Sequence, residues 1–240
     1  MDQNQGHVLY FNVTPKANVH FMTLSREYQH AVPLRDNLSS RGPAAHYVIT
    51  GAKGITAGYN ECARRAPTVI PFYCFIHEDA RLHFDWNTII PEYFNQLPNA
   101  GVLGFVGCRR MSCDSRWWVN QPRFGSLIQG GYPEQDPPNL CFDKPTQGHE
   151  GMKYEPVDAV DGYCLFIRRE VFQVVGGFDE RFDAWHCYDA DLCLSCIQHG
   201  FQNYVIDQKS QHHSGGSLAD PWARENAKFQ DKWRTFLAAR

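Results

Sequence analysis

The sequence predicts an α/β protein built on a doubly wound, mostly parallel mixed sheet flanked by helices. Three observations predict it. Short apolar runs rich in β-branched and aromatic residues recur along the chain, at 19–24, 46–50, 69–76 and 101–107. Stretches of helical period alternate with them, which is the pattern of crossover connections in a parallel sheet. At 240 residues the chain is long enough to bury one full core of this kind and is expected to form a single domain over 1–240.

The elements follow in order. Residues 1–17 are polar and contain Pro15, so an irregular leader is expected, with a short strand at HVLYFNV. The run VHFMTL predicts the first firm strand over 19–24. Helix-tolerant polar sequence follows to about residue 40 and breaks at Arg41-Gly42-Pro43. HYVIT predicts a strand over 46–50, ended by Gly51. A helix is expected over 55–66, because Ile55, Tyr59 and Cys62 share a face and Pro67 stops it. The apolar run 69–76 reads as a buried central strand, 86–96 as a helix, and GVLGFVG over 101–107 as one more buried strand. Residues 109–155 are rich in Gly, Pro, Asn and Gln. They are expected to form a long loop excursion carrying Trp117, Trp118, Phe124 and Tyr132. Strand returns over 157–168, a helix over 189–199 is closed by Gly200, and a short strand covers 204–206. An amphipathic C-terminal helix is expected within 220–240.

Composition excludes several functions. The formal net charge is −3 and Lys and Arg form no run, so nothing marks a nucleic-acid partner. Sixteen Phe, eleven Tyr and six Trp suit a surface that stacks on sugars or bases, and suit a large aromatic core equally well. Nine scattered cysteines point to reduced, buried thiols and a cytoplasmic protein. Met1 is followed by polar DQNQGH rather than a signal-peptide core, and no apolar run approaches the ~20 residues that span a bilayer. Contact with a membrane is expected to be peripheral at most.

Three constellations can carry chemistry. His77-Glu78-Asp79 ends a buried strand, where α/β sheets bind ligands, and residues at i and i+2 can reach one divalent cation. Polar triplets also end many strands that bind nothing. Asp189-x-Asp191 opens a helix after the aromatic run Trp185-His186-Cys187-Tyr188; capping explains an isolated acid there, while the aromatics suit a sugar ring. His212-His213-Ser214-Gly215-Gly216-Ser217 offers metal-ligating imidazoles beside permissive glycines, or else a solvated loop. Cys193-x-x-Cys196 lacks the second ligand pair a structural zinc site needs, and packing on one helical face accounts for it.

Together and in this order these sites resemble the family 2 glycosyltransferases of the GT-A fold, in particular their rhamnosyltransferase-like and galactosyltransferase-like branches. The resemblance runs from Val19 to Trp233. It rests on Thr23-Leu24-Ser25-Arg26 at the end of the first strand and Gly54-Ile-Thr-Ala-Gly58-Tyr-Asn60 at a helix start. It rests further on His77-Glu78-Asp79 with Asp85-Trp86 after it, on GGFDERF before an acidic helix start, and on Phe229-Gln-Asp-Lys232-Trp233.

The resemblance implies a metal-dependent, inverting hexosyltransferase that moves a sugar from a nucleoside-diphosphate sugar to a hydroxyl of a glycan or other acceptor. Asp189 matches the family's general base. Thr23, Ser25, Lys53, Gly58, Asn60, Asp161 and Gly162 are expected to line the donor pocket. Trp185, Tyr188 and Asp191 are expected to face the acceptor, and Asp79 and His212, helped by His77, to hold Mn2+ or Mg2+. Three positions depart from the family pattern: His77 at the first place of its DxD-like motif, Tyr188 where an acid precedes the base, and Ser195 where Arg is common. Two other readings remain at this stage, a non-catalytic nucleotide-sugar or carbohydrate-binding member of the fold and a nucleotidyltransferase. The second is disfavoured by the lack of a Gly-rich, basic phosphate loop near the start.

Overall fold

The structure, a computed structural model, describes residues 7–11, 16–130, 139–141, 147–149, 152–214 and 220–240, with 7–11, 139–141, 147–149 and 220 described by backbone alone. The first half alternates strand and helix. It runs β1 (His7–Phe11), β2 (Val19–Ser25), α1 (Tyr28–Ser39), β3 (Ala45–Thr50), α2 (Ile55–Arg65), β4 (Phe72–Ile76), β5 (Ala80–Leu82) and α3 (Trp86–Gln96). Six strands that pair in two different sheets come next: β6 (Ala100–Gly104), β7 (Val106–Cys108), β8 (Arg123–Gln129), β9 (Asn139–Cys141), β10 (Gln147–His149) and β11 (Met152–Val157). The chain closes with β12 (Ala159–Val160), β13 (Cys164–Arg168), α4 (Arg169–Val174), α5 (Tyr188–Gln198), β14 (Gln202–Ile206), β15 (Ser210–His212) and α6 (Asp220–Ala238).

The main sheet has the order β1-β3-β2-β4-β13-β6-β14-β11-β10. Strands β3, β2, β4, β6 and β14 share one direction, and β13 is inserted antiparallel between β4 and β6. Every residue of β2 is buried, as expected of a central strand covered on both faces. Trp86, Tyr59, Phe75, Phe166 and Trp233 are fully buried within one continuous core, each worth about 1.5–3 kcal/mol of apolar burial or more. The abundant aromatics are therefore mainly core. Asp85 caps α3 by accepting from the Thr88 backbone N–H at 3.3 Å, while Trp86 sets the edge of its ring against Phe21. That is the physical content of the Asp-Trp pair.

Two expectations about 101–155 are corrected. The run 101–107 is not one strand but two, β6 in the main sheet and β7 in a second sheet of order β12-β7-β8-β15-β5, with β9 paired to β8. Phe105 makes the turn between them, and Gly125 lies so close that a Cβ there would sit 1.9 Å from the Phe105 carbonyl oxygen. Second, the excursion 109–155 is not loop throughout, since it supplies β8, β9, β10 and most of β11. Strand β8 lacks a clean alternation, its buried positions falling in adjacent pairs at Phe124-Gly125 and Leu127-Ile128. Tyr132 and residues 215–217 lie outside the described residues.

No cysteine with a described side chain forms a disulfide, and all of these except Cys113 are buried. Among the described residues, no helix is long and apolar enough to cross a membrane.

Candidate active site and metal centre

The second sheet assembles the first part of the site. Strand β4 ends at Ile76, and the chain turns through His77, Glu78 and Asp79 into β5. Pairing of β5 with β15 sets His212 opposite Ala80, and β8 supports β15 from the other side. His212 thereby arrives beside Asp79 from 133 positions away in sequence. The ligand atoms of His77, Asp79 and His212 lie within 4.8 Å of one another, the only such group among the described residues. His77 Nδ1 is 3.3 Å from His212 Nε2, which is 3.4 Å from Asp79 Oδ1. The Ser214 backbone N–H donates to Asp79 Oδ2 at 3.0 Å, and Tyr163 stacks on the His212 ring at 4.8 Å. Ser214 was named in its motif without a role, and Tyr163 escaped the sequence reading although it adjoins Gly162, which that reading named.

The charge state suits a divalent cation. Burial, with the neighbouring His212, pushes His77 down to about 3, so its imidazole is neutral. Burial would raise the Asp79 carboxyl, but the hydrogen bond and charge of His212, then His77 and Ser214, outweigh it and hold the group below the usual carboxylate range. Two imidazoles and one carboxylate with ligand atoms this close can hold a divalent transition ion. Cys193 and Cys196 are buried in the core and stand outside this group, so packing accounts for them.

Helix α5 supplies the second part. Asp189 lies in its first turn and retains partial exposure although protein crowds around it. Burial first, and then the charge of Asp161, push its carboxyl up to about 7, against the backbone N–H groups of Ala190, Asp189 and Gly162. Gly162 allows this approach: a Cβ there would lie 2.4 Å from the Tyr188 hydroxyl and 3.0 Å from Asp189 Cβ. The Tyr188 hydroxyl is 2.8 Å from His77 Nε2 and donates to the Gly162 carbonyl at 2.9 Å, which joins the base candidate's helix to the metal-ligand group. Exposed Trp185 sets its ring edge-on to His77 at 5.9 Å. Asp161 accepts from Trp117 Nε1 and from the Tyr163 N–H, both at 3.0 Å.

Several named residues do other work. Thr23 is fully buried with its hydroxyl 2.9 Å from His46 Nε2, so it does not line a pocket. Gly58 faces Leu24, whose methyl carbons lie 2.7 Å from where its Cβ would be; it seats α2 against β2. Asn60 binds the Phe178 backbone at both ends of its amide rather than facing a nucleotide. Asp191 is buried and turned to α6, where it accepts from Trp233 Nε1 at 2.7 Å and pairs with Lys232 at 2.7 Å. It cannot orient an acceptor. Tyr188 is buried beneath His77, not presented to one. Ser25 stays at the mouth of β2, bonded to the Glu78 carboxylate, and Lys53 is exposed in the turn before α2. Glu78 thus joins this edge of the site, as a residue the motif contained without a role.

Comparisons with known proteins bear on the fold and the family. A family model described as "Glycosyltransferase like family" matches residues 25–233. An N-acetylglucosaminyl-diphospho-decaprenol L-rhamnosyltransferase of Mycobacterium tuberculosis is 29% identical over 151 residues, covering 61% of this chain and 48% of its own. The chain thus spans about half the length of the curated relatives it matches. Among solved structures, GalNAc-T7 with UDP, GalNAc and Mn2+ superposes with a TM-score of 0.58 at 9% identity, over 90% of this chain and 48% of that one. The mannosyltransferase PcManGT from Pyrobaculum calidifontis, with GDP-Man and Mn2+, gives 0.56 at 10% identity over 98% and 68%. At such identities the structures establish the fold, and the family match establishes kinship: the chain belongs to the family 2-like glycosyltransferases of the GT-A fold.

Proposed function

We propose that this chain transfers a sugar from a nucleoside-diphosphate sugar to an acceptor hydroxyl with inversion, Asp189 serving as general base. One observation carries the reading. A carboxyl poised at about 7 stands one residue from Tyr188, which contacts a His77–Asp79–His212 donor group suited to a diphosphate-bound cation. A base is most effective when its pKa lies near the working pH. Asp189 takes the proton of the acceptor hydroxyl as that oxygen attacks the anomeric carbon from the face opposite the departing diphosphate. Asp79, His77 and His212 would hold a divalent cation, which would supply Lewis acidity toward the leaving diphosphate. Trp185 offers an apolar face for the acceptor ring, while Ser25, Lys53, Asp161 and Gly162 border the donor.

The donor set favours Mn2+ over Mg2+, because Mg2+ selects oxygen ligands in octahedral geometry and two of the three protein donors here are imidazoles. The M. tuberculosis relative acts on a polyprenyl-diphosphate-linked sugar by its name. A glycan hydroxyl reached from the cytoplasmic side of a membrane surface is the corresponding acceptor here.

A thermal-shift screen of UDP-, dTDP- and GDP-sugars, each with and without Mn2+, tests the donor half. A ligand at about 100 times its Kd raises stability by about 2.7 kcal/mol. One nucleotide class is expected to stabilise the protein only with Mn2+ present; no stabilisation by any of them would refute the reading.

A further inference from the structure

The two departures from the family pattern at the centre of this site touch each other. His77 replaces the first acid of the DxD-like motif, Tyr188 replaces the acid before the base, and the hydroxyl of one lies 2.8 Å from Nε2 of the other. The same hydroxyl lies 2.9 Å from the Gly162 carbonyl oxygen. A phenol has one proton, and a carbonyl oxygen can only accept. The Tyr188 proton therefore goes to Gly162, and the Tyr188 oxygen must accept from His77 Nε2–H. Neutral imidazole carries one N–H, so His77 Nδ1 is left bare, facing His212 and Asp79.

We propose that Tyr188 is a positioning residue that fixes His77 in the Nε2–H tautomer and ring orientation, presenting Nδ1 as a metal ligand. The idea rests on the metal reading of the site. It makes the two unusual residues one coupled substitution: an imidazole ligand needs an outer partner that an aspartate ligand in its place would not need in this form. The Tyr188 ring is held for this task by Tyr59 and Phe178, whose centroids lie 6.3 and 6.0 Å away, and by a site at Gly162 too tight for any Cβ.

The test is Mn2+ affinity, measured by calorimetry on the full chain without nucleotide, in Tyr188→Phe, His77→Ala and the double variant. Tyr59→Phe is the control, since the Tyr59 hydroxyl is buried with no hydrogen-bond partner among the described residues. Tyr188→Phe is expected to weaken Mn2+ binding by about 10–100-fold. It is expected to add nothing in the His77→Ala background, because its effect passes through His77. Tyr59→Phe is expected to leave affinity unchanged. Imidazole 15N spectra of the metal-free wild-type protein read the tautomer directly, independently of whether any variant folds; His77 is expected to be protonated at Nε2. A His77 protonated at Nδ1, or a folded Tyr188→Phe that binds Mn2+ as the wild type does, overturns the proposal and leaves the metal site standing. A wild-type protein that binds no Mn2+ overturns both.

Discussion

Asn60 holds Phe178 by both ends of its amide, donating to the Phe178 carbonyl at 2.9 Å and accepting from the Phe178 N–H at 3.0 Å. The two residues are 118 positions apart, so this clamp fixes the Gly-Gly-Phe-Asp turn to α2. Thr56 adds a second tie, donating to the Phe182 carbonyl at 2.8 Å. Gly177, at φ +79°, completes the fit, since a side chain there would meet Asn60 Oδ1 at 2.8 Å. Asn60→Ala is predicted to lose about 2 kcal/mol of stability by leaving the Phe178 backbone groups unpaired. Urea denaturation measures the loss. Nucleotide affinity of the folded fraction should not change, which separates a clamp from a donor contact.

Asp191 ties the C-terminal helix to the site's helix. Lys232 bridges it to Asp179 of the same turn, at 2.7 and 2.8 Å, and Trp233 donates to it. Burial raises the Asp191 carboxyl while Lys232 and Trp233 pull it back. Removing one partner of a buried pair costs about 3–5 kcal/mol, and the partial exposure of Lys232 sets the expectation at the low end. Asp191→Ala is thus predicted to lose about 3 kcal/mol in chemical denaturation, with turnover per folded molecule changed less than 10-fold, far short of a base deletion.

Asp189 gives opposite pH trends for activity and stability. Its carboxyl is raised from 3.8 to about 7 in the folded protein. The folded state thus holds a proton that the unfolded state releases, and this contribution to stability is complete below pH 3.8 and lost as pH rises to about 7. Asp189→Asn should accordingly melt above the wild type at pH 8, with the difference closing toward pH 4. The proposed role as base requires Asp189 deprotonated, so kcat/KM of the wild type is predicted to climb through about pH 7 and level off above it. Melting curves across pH and a pH–rate profile check the two limbs separately.

Metal choice follows the donors. Mn2+ is predicted to bind the nucleotide-free protein at least 10-fold tighter than Mg2+, and His212→Ala to abolish that preference by leaving one imidazole of two. Titration calorimetry with each metal, on the wild type and on His212→Ala, reads the preference and its loss.

The sequence carried the positions of the site better than their duties. His77 and Asp79 were named because a strand end is where an α/β sheet holds ligands, and the structure brings them together with His212; Asp189, named at a helix start, is the proposed base. Thr23, Gly58, Asn60 and Asp191 belong to the same motifs, yet they serve packing and clamping. Which face a buried hydroxyl or amide turns to depends on partners remote in sequence, such as His46 for Thr23 and Phe178 for Asn60. The break at Phe105 was hidden for a related reason: 101–107 is apolar throughout, and only pairing divides it between two sheets.

Turnover of the sugar nucleotide by Asp189→Asn, in the presence of Mn2+ and an acceptor glycan, tests the central claim most directly. The substitution keeps the side chain's size and should leave Mn2+ and nucleotide binding intact. The account predicts that transfer falls by about 10²–10⁴-fold while both ligands still bind. Transfer that continues at the wild-type rate would contradict it.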